Sequence, residues 1–180
     1  MTTRVRESER AEHISTLVPQ FAAGSWALPL RAIVGFGMMA HGVAKLSKGP
    51  ESFGVILHAL GVPSPHVMAW ATVLVELFGG LAVLSGTFVV VASIPLTIVL
   101  LVAMLTVHLR YGFSSIKLVA VTSAGAQFGP PGYETNLLYI ACLAALAIGG
   151  SGPLSIDGLL IRRSGNRRTD SRELTPRSLP

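Results

Sequence analysis

Residues 87–109 read TFVVVASIPLTIVLLVAMLTVHL, a run with no formal charge and a single histidine, His108, near its end. At about 1.5 Å of rise per residue, a helix through this run spans the roughly 30 Å of a bilayer's hydrocarbon. That reading sets the class of the protein as integral to a membrane. Pro95 removes a backbone donor inside the run and predicts a kink there. The composition agrees: 51% of the 180 residues are apolar and 13% are charged, where a water-soluble domain carries about 25% charged residues. Mean hydropathy is +0.61.

Outward from this segment, further apolar runs and their breaks predict an all-α membrane protein with four spans. Span one covers about Trp26 to Leu46 and stops at Lys48-Gly49-Pro50. Phe53, Ile56, Leu57 and Leu60 then recur at helical spacing over 51–60, too short to cross, which predicts a short interfacial or re-entrant helix. The turn Gly61-Val62-Pro63-Ser64-Pro65 launches span two, about His66 to Ser85, and Gly86 leaves a tight connection to span three. Residues 110–133 read as a longer loop whose apolar stretch, Ile116 to Val121, dips toward the headgroups. Span four covers about Glu134 to Gly150. The expected organisation is an N-terminal tail over 1–25, a membrane domain over 26–150 and a basic tail over 151–180. Leu17, Val18 and Phe21 give the first tail an apolar face for the membrane surface.

Charge placement predicts orientation. With four spans, both tails and the Gly86 turn share one side. That side carries Arg4, Arg6, Arg10, Arg162, Arg163, Arg167, Arg168, Arg172 and Arg177, and the other only Lys45, Lys48, Arg110 and Lys117. The positive-inside rule puts both termini in the cytoplasm. The net charge of +5 has no basic stripe interleaved with aromatics behind it, so the expected partner is lipid and not nucleic acid. The one cysteine, Cys142, excludes a dithiol relay within this chain. No cleavable leader is expected, because Arg31, His41 and Lys45 interrupt or flank the first apolar run.

This orientation brings ionisable groups from four helices toward the outer half of the membrane. His41 and Lys45, four apart on one face, lie in the outer half of span one. Glu76 sits about 15 Å along span two, and His108 and Glu134 fall at the outer ends of spans three and four. A charged carboxylate at mid-bilayer costs roughly 2.5–3.5 kcal/mol even on lenient insertion scales. Glu76 is therefore expected to be neutral, to face a wet cavity or to pair with His41, Lys45 or Arg31. Snorkelling toward headgroups is the plain alternative for Lys45 and Arg31, and an interfacial position that for His108. Glu134 alternatively serves as an acidic residue at a helix N-terminus. Gly79 and Gly80, one turn beyond Glu76, suit close helix approach. Bis-histidine haem on His41 and His108 is conceivable but has no supporting motif. A di-iron bundle would need Glu-x-x-His pairs, and no Walker loop, GxSxG elbow or CxxC occurs. No metal site is expected.

The ordered set Arg31, Gly35, His41-Gly42 and Lys45, then Phe53 and Leu60-Gly61-Val62-Pro63, resembles the DoxX family of small bacterial membrane proteins. The resemblance continues through Glu76, Gly79-Gly80, His108, Gly132, Glu134 and Leu137-Leu138-Tyr139 to Ser155-Ile156-Asp157, about residues 26–160. It implies a four-helix fold in the cytoplasmic membrane, linked to redox metabolism. Members include a subunit of a thiosulfate:quinone oxidoreductase, proteins of quinone and catechol detoxification, and partners of other membrane oxidoreductases. By that analogy His41, Lys45, Glu76, His108 and Glu134 line a site for a quinone or similar amphiphile. Glu76 with His41 or His108 would exchange protons with the ring, and Lys45 or Arg31 would balance charge. The chain carries no cofactor motif of its own, so an accessory subunit of an oxidoreductase, membrane-bound or soluble, fits better than a self-sufficient enzyme. The alternatives are a non-redox binder or transporter of a lipid or small solute, and a scaffold of a membrane complex.

Overall fold

The computed structural model describes residues 25–152 and 154–159. The expected surface-lying N-terminal tail and basic C-terminal arginines lie outside the described residues. Helix α1 runs Ala27–Ser47, α2 Pro50–Ala59, α3 Pro65–Ser85, α4 Val89–Tyr111 and α5 Glu134–Gly149, with a hairpin of β1, Leu118–Thr122, and β2, Gly125–Phe128, between α4 and α5. Three of these, α1, α3 and α4, are long and apolar enough to cross a membrane. At 16 residues α5 is also apolar but shorter, about 24 Å long.

Glycine and proline place the breaks. Gly49 adopts φ +84° after α1, and Pro50 opens α2. Gly61 and Gly86 close α2 and α3 in the same way. In each, the glycine N–H bonds two residues into the last turn and the next N–H reaches one residue deeper (Val62 N to Leu57 O, 3.0 Å; Thr87 N to Ala82 O, 2.9 Å). This double cap needs the left-handed backbone that glycine adopts without penalty, φ +74° and +72° here. It explains the tight reversal between α3 and α4. Helix α4 continues through Pro95 without interruption.

Helices α1, α3, α4 and α5 share one apolar core, in which Val34, Met38, Val83, Leu96, Leu143 and Leu146 are buried. The opposite faces stay apolar too: Val91, Ile94, Ile98 and Leu105 of α4 are exposed. Contiguous exposed aliphatics of this kind belong against lipid. Helices α1 and α3 meet backbone to backbone at Gly35 and Gly80. A Cβ at Gly35 would sit 2.8 Å from Gly80 O, and one at Gly80 would sit 2.8 Å from Gly35 O. Such small-residue contacts are how helices gain close packing where the solvent is itself apolar.

The loop expected over 110–133 is instead organised by the hairpin. The β-branched run Val119, Val121 and Thr122, then the two-residue turn Ser123-Ala124, favours paired strands over a loose excursion. Its stem is tied to the helix ends: Tyr133 N bonds Gly112 O, Glu134 N bonds Phe113 O, and Gly132 N bonds Ser114 O, at 3.0–3.1 Å.

The α1–α3 contact yields a stability prediction. Gly35→Leu must push the two backbones apart and should cost about 1–3 kcal/mol or prevent assembly. Ile148→Ala, at a fully exposed side chain, should leave thermal unfolding in detergent almost unchanged.

Candidate functional site

Glu76 is buried on α3, its side chain 5% exposed, and Lys45 of α1 reaches it. Lys45 Nζ lies 2.7 Å from Glu76 Oε1 and 2.6 Å from Oε2, so one ammonium group holds both oxygens. Of the three cations that the sequence offered as partners, the fold selects this one. Two local features make the distance short. Gly42, one turn before Lys45, lets α3 approach: a Cβ there would stand 2.8 Å from Leu77 Cγ and 3.2 Å from Glu76 Cβ. Glu76 also sits on a π-helical turn, Val75–Gly79, which inserts a residue into the α-helical ladder and rotates the side chains beyond it. Phe53 of α2 covers the ammonium from another side, its ring centroid 5.2 Å from Nζ.

The pair lies in the wall of a cavity of about 300 Å³. His41, Lys45, Glu76 and His108 all line it, with Thr135, Asn136 and Tyr139 of α5 and apolar side chains that include Met38, Val99 and Leu100. His108 lies on a second π turn, Met104–His108. Its Nδ1 is 3.0 Å from Pro131 O, an acceptor only, so Nδ1 donates there, and Nε2 has no hydrogen-bond partner among the described residues. Both π turns thus deliver an ionisable residue to the same cavity, a placement in which such bulges recur.

Two of the residues expected at the site are elsewhere. Glu134 does not line the cavity. It starts α5 and accepts a hydrogen bond from Ser115 N at 3.0 Å, which ties the hairpin stem to that helix. Arg31 is 3% exposed at the far end of α1, about 21 Å along the helix from Lys45. Its guanidinium donates to Val83 O at 3.2 Å and Leu84 O at 2.9 Å, at the C-terminal end of α3. It also donates to Ser151 O at 3.0 Å and Leu154 O at 2.9 Å, just beyond α5. Asp157 N completes the clamp on Gly86 O at 3.1 Å. A planar five-donor group suits four carbonyls, and a cation suits a helix C-terminus. This arrangement also gives Ser155-Ile156-Asp157 its place: the Ser155 hydroxyl accepts from Gly158 N at 2.9 Å, capping the turn that lies against Arg31.

Asn136 was not singled out in the sequence, and Tyr139 entered only with the motif Leu137-Leu138-Tyr139, not as a site residue. Asn136 is buried and donates through Nδ2 to Leu100 O at 3.2 Å, just before the α4 ladder widens into its π turn. Tyr139 points its hydroxyl at Gly37, where a Cβ would collide with it, and that hydroxyl has no hydrogen-bond partner among the described residues. Asn136 and Tyr139 are three apart on one face of α5, and an amide beside an apolar run was the available signal. Among the described residues no three His, Cys, Asp or Glu side chains cluster as a metal-ligand set.

Residues 26–109 match the DoxX family model. This part of the chain is a DoxX domain. The DoxX match takes in α1, α2, α3 and α4 as far as Leu109, and with them His41, Lys45, Glu76 and His108. The hairpin and α5, which add Pro131, Thr135, Asn136 and Tyr139 to the cavity, follow it. No curated protein and no solved structure matches the chain.

The ion pair generates a coupling prediction. Lys45→Met leaves a buried carboxylate without its cation and should destabilise the protein by about 2–4 kcal/mol, somewhat less than the roughly 3–5 kcal/mol of fully buried pairs because Lys45 is partly exposed. Glu76→Gln should also destabilise it. The double variant should lose clearly less than the sum of the two, as read from detergent unfolding curves.

Proposed function

We propose that the cavity binds a quinone or a similar amphiphile with a polar head, and that the protein serves a redox system as an accessory or subunit. The observation that carries this reading is the convergence of a buried ion pair, two histidines and the polar side chains of Thr135, Asn136 and Tyr139 on one cavity whose other walls are largely apolar. Its volume of about 300 Å³ meets the lower end of the roughly 300–1,000 Å³ of small-molecule sites, enough for a ring with its tail outside. In this reading α5 is a fourth span. Tyr133 before it and Trp26, packed on Gly149 at its other end, serve as interfacial aromatics. Both termini lie in the cytoplasm of a bacterium, the fold resides in the cytoplasmic membrane, and the cavity opens in the outer half.

The chemistry follows from the groups present. A quinone reduced to quinol takes up two electrons and two protons. Electrons come from a partner oxidoreductase or a soluble reductant, since no motif here holds a redox centre. Protons are exchanged with the ring oxygens by Glu76 and by a histidine, His41 or His108. The Lys45 ammonium lies beside the site and offsets the negative charge that develops on a reduced ring. Tyr139 and Asn136 supply further hydrogen bonds that orient the head. A non-redox lipid binder would use the same walls without the proton steps, and a scaffold would use neither.

The test is titration of a short-chain quinone into the full protein in lipid nanodiscs, with thermal unfolding followed in parallel. Glu76→Gln and His41→Ala should each weaken saturable binding about tenfold or more, as expected when a hydrogen bond to a charged or ionisable group is removed. Unchanged affinity in both variants while the fold persists, or no saturable binding by the wild type, would refute the reading.

A further inference from the structure

The hairpin between α4 and α5 contains the apolar stretch expected near the headgroups, and its surface is unusual. Ile116, Leu118, Val119, Val121 and Phe128 are all exposed, from 58% to 75%. Cross-strand partners share a face, and with the bulge between Leu118 and Ala120 the register puts Leu118, Val121 and Phe128 on one face of the hairpin and Ala120, Thr122 and Gln127 on the other. The sheet has two strands only, leaving each with an unpaired edge.

Three environments are open to such an element, and physical cost separates them. In water, an isolated two-stranded hairpin is marginal and apolar edges invite aggregation. In the centre of a bilayer, each unpaired edge group would cost several kcal/mol. The boundary between headgroups and acyl chains satisfies both needs, with edges hydrated and aliphatic side chains in hydrocarbon. The stem fixes the hairpin at that level. Its backbone is bonded to Glu134 at the start of α5, and Gly132 lies so close to the backbone at Gly112, Phe113 and Ser114 that a Cβ would clash with all three carbonyls. Helix α4, one of the candidate membrane spans, ends at Tyr111 just before the stem.

We infer that the β1–β2 hairpin is an interfacial anchor, lying in the headgroup region of the leaflet at the Lys45 end and binding anionic phospholipid there. Charge supports lipid over a protein partner: from 110 to 133 the chain has Arg110 and Lys117 and no acidic residue. A partner that added a strand to one edge would leave the apolar face of Leu118, Val121 and Phe128 uncovered. The same stem contributes Pro131 and Gly132 to the cavity wall, so the anchor sets the depth of that wall in the membrane. This inference does not depend on what the cavity binds.

The experiment uses the full chain with Cys142→Ser and Val121→Cys, labelled with an environment-sensitive fluorophore, in nanodiscs of phosphatidylethanolamine and phosphatidylglycerol loaded at one protein per disc. The anchor predicts blue-shifted emission and quenching by lipids carrying nitroxide near the headgroup, stronger than by nitroxide at the chain end. It also predicts that Arg110→Gln with Lys117→Gln reduces that quenching when phosphatidylglycerol is present. Aqueous emission open to iodide would overturn the inference. So would protection that appears only when two copies share a disc, or only when a second protein is added, because either outcome assigns the surface to a protein interface.

Discussion

An ionised carboxylate is tolerated among membrane helices only when a cation, solvent or a proton compensates it, and Glu76 is met by Lys45 at 2.6 Å. Much of the local architecture serves that contact. The backbone approach at Gly35 and Gly80 brings α1 and α3 together, and Gly42 extends the approach to the level of the carboxylate. The π turn at Val75–Gly79 sets the rotation of Glu76, and α2 packs Phe53 over the ammonium. A pair so enclosed gives little net stability relative to an apolar substitute, because desolvation offsets the attraction.

The two ends of the helices use their cations differently. At one end Arg31 is consumed by four carbonyls and fastens the segment after α5 to the turn between α3 and α4. At the other, Lys45, His41 and Tyr139 keep surfaces toward a cavity, and one ring nitrogen of His108 has no hydrogen-bond partner among the described residues. The first end is closed by hydrogen bonds, and the second keeps polar groups available. That asymmetry follows from the residues themselves: a guanidinium forks across fixed carbonyls, whereas an ammonium, an imidazole and a phenol each retain donors or acceptors for something else.

Hydropathy and turn residues made the three long apolar helices legible, with breaks at Gly49-Pro50, Gly61 and Gly86 where the structure has them. The short helix after α1 was legible from its spacing. Length and polarity say where a helix runs, but not how it is rotated about its axis, so the choice among Arg31, His41 and Lys45 for Glu76 was closed to sequence reading. The π turns deepen that gap, since each adds about 100° of rotation that a regular 3.6-residue wheel omits. Residues 116–121 looked merely apolar because a short apolar run does not distinguish strand from surface loop. Glu134 was singled out for its charge, whereas the neighbouring Asn136 and Tyr139, three apart on one face of α5, are the residues that line the cavity.

The central claim is that the cavity beside Lys45 and Glu76 is a ligand site, and native mass spectrometry of the protein released from mild detergent tests it most directly. The account predicts a stoichiometric small amphiphile on the wild type, identified as a quinone by fragmentation and lost from Glu76→Gln while the protein stays folded. Wild-type protein bearing only bulk phospholipid, the same as Glu76→Gln, would contradict it.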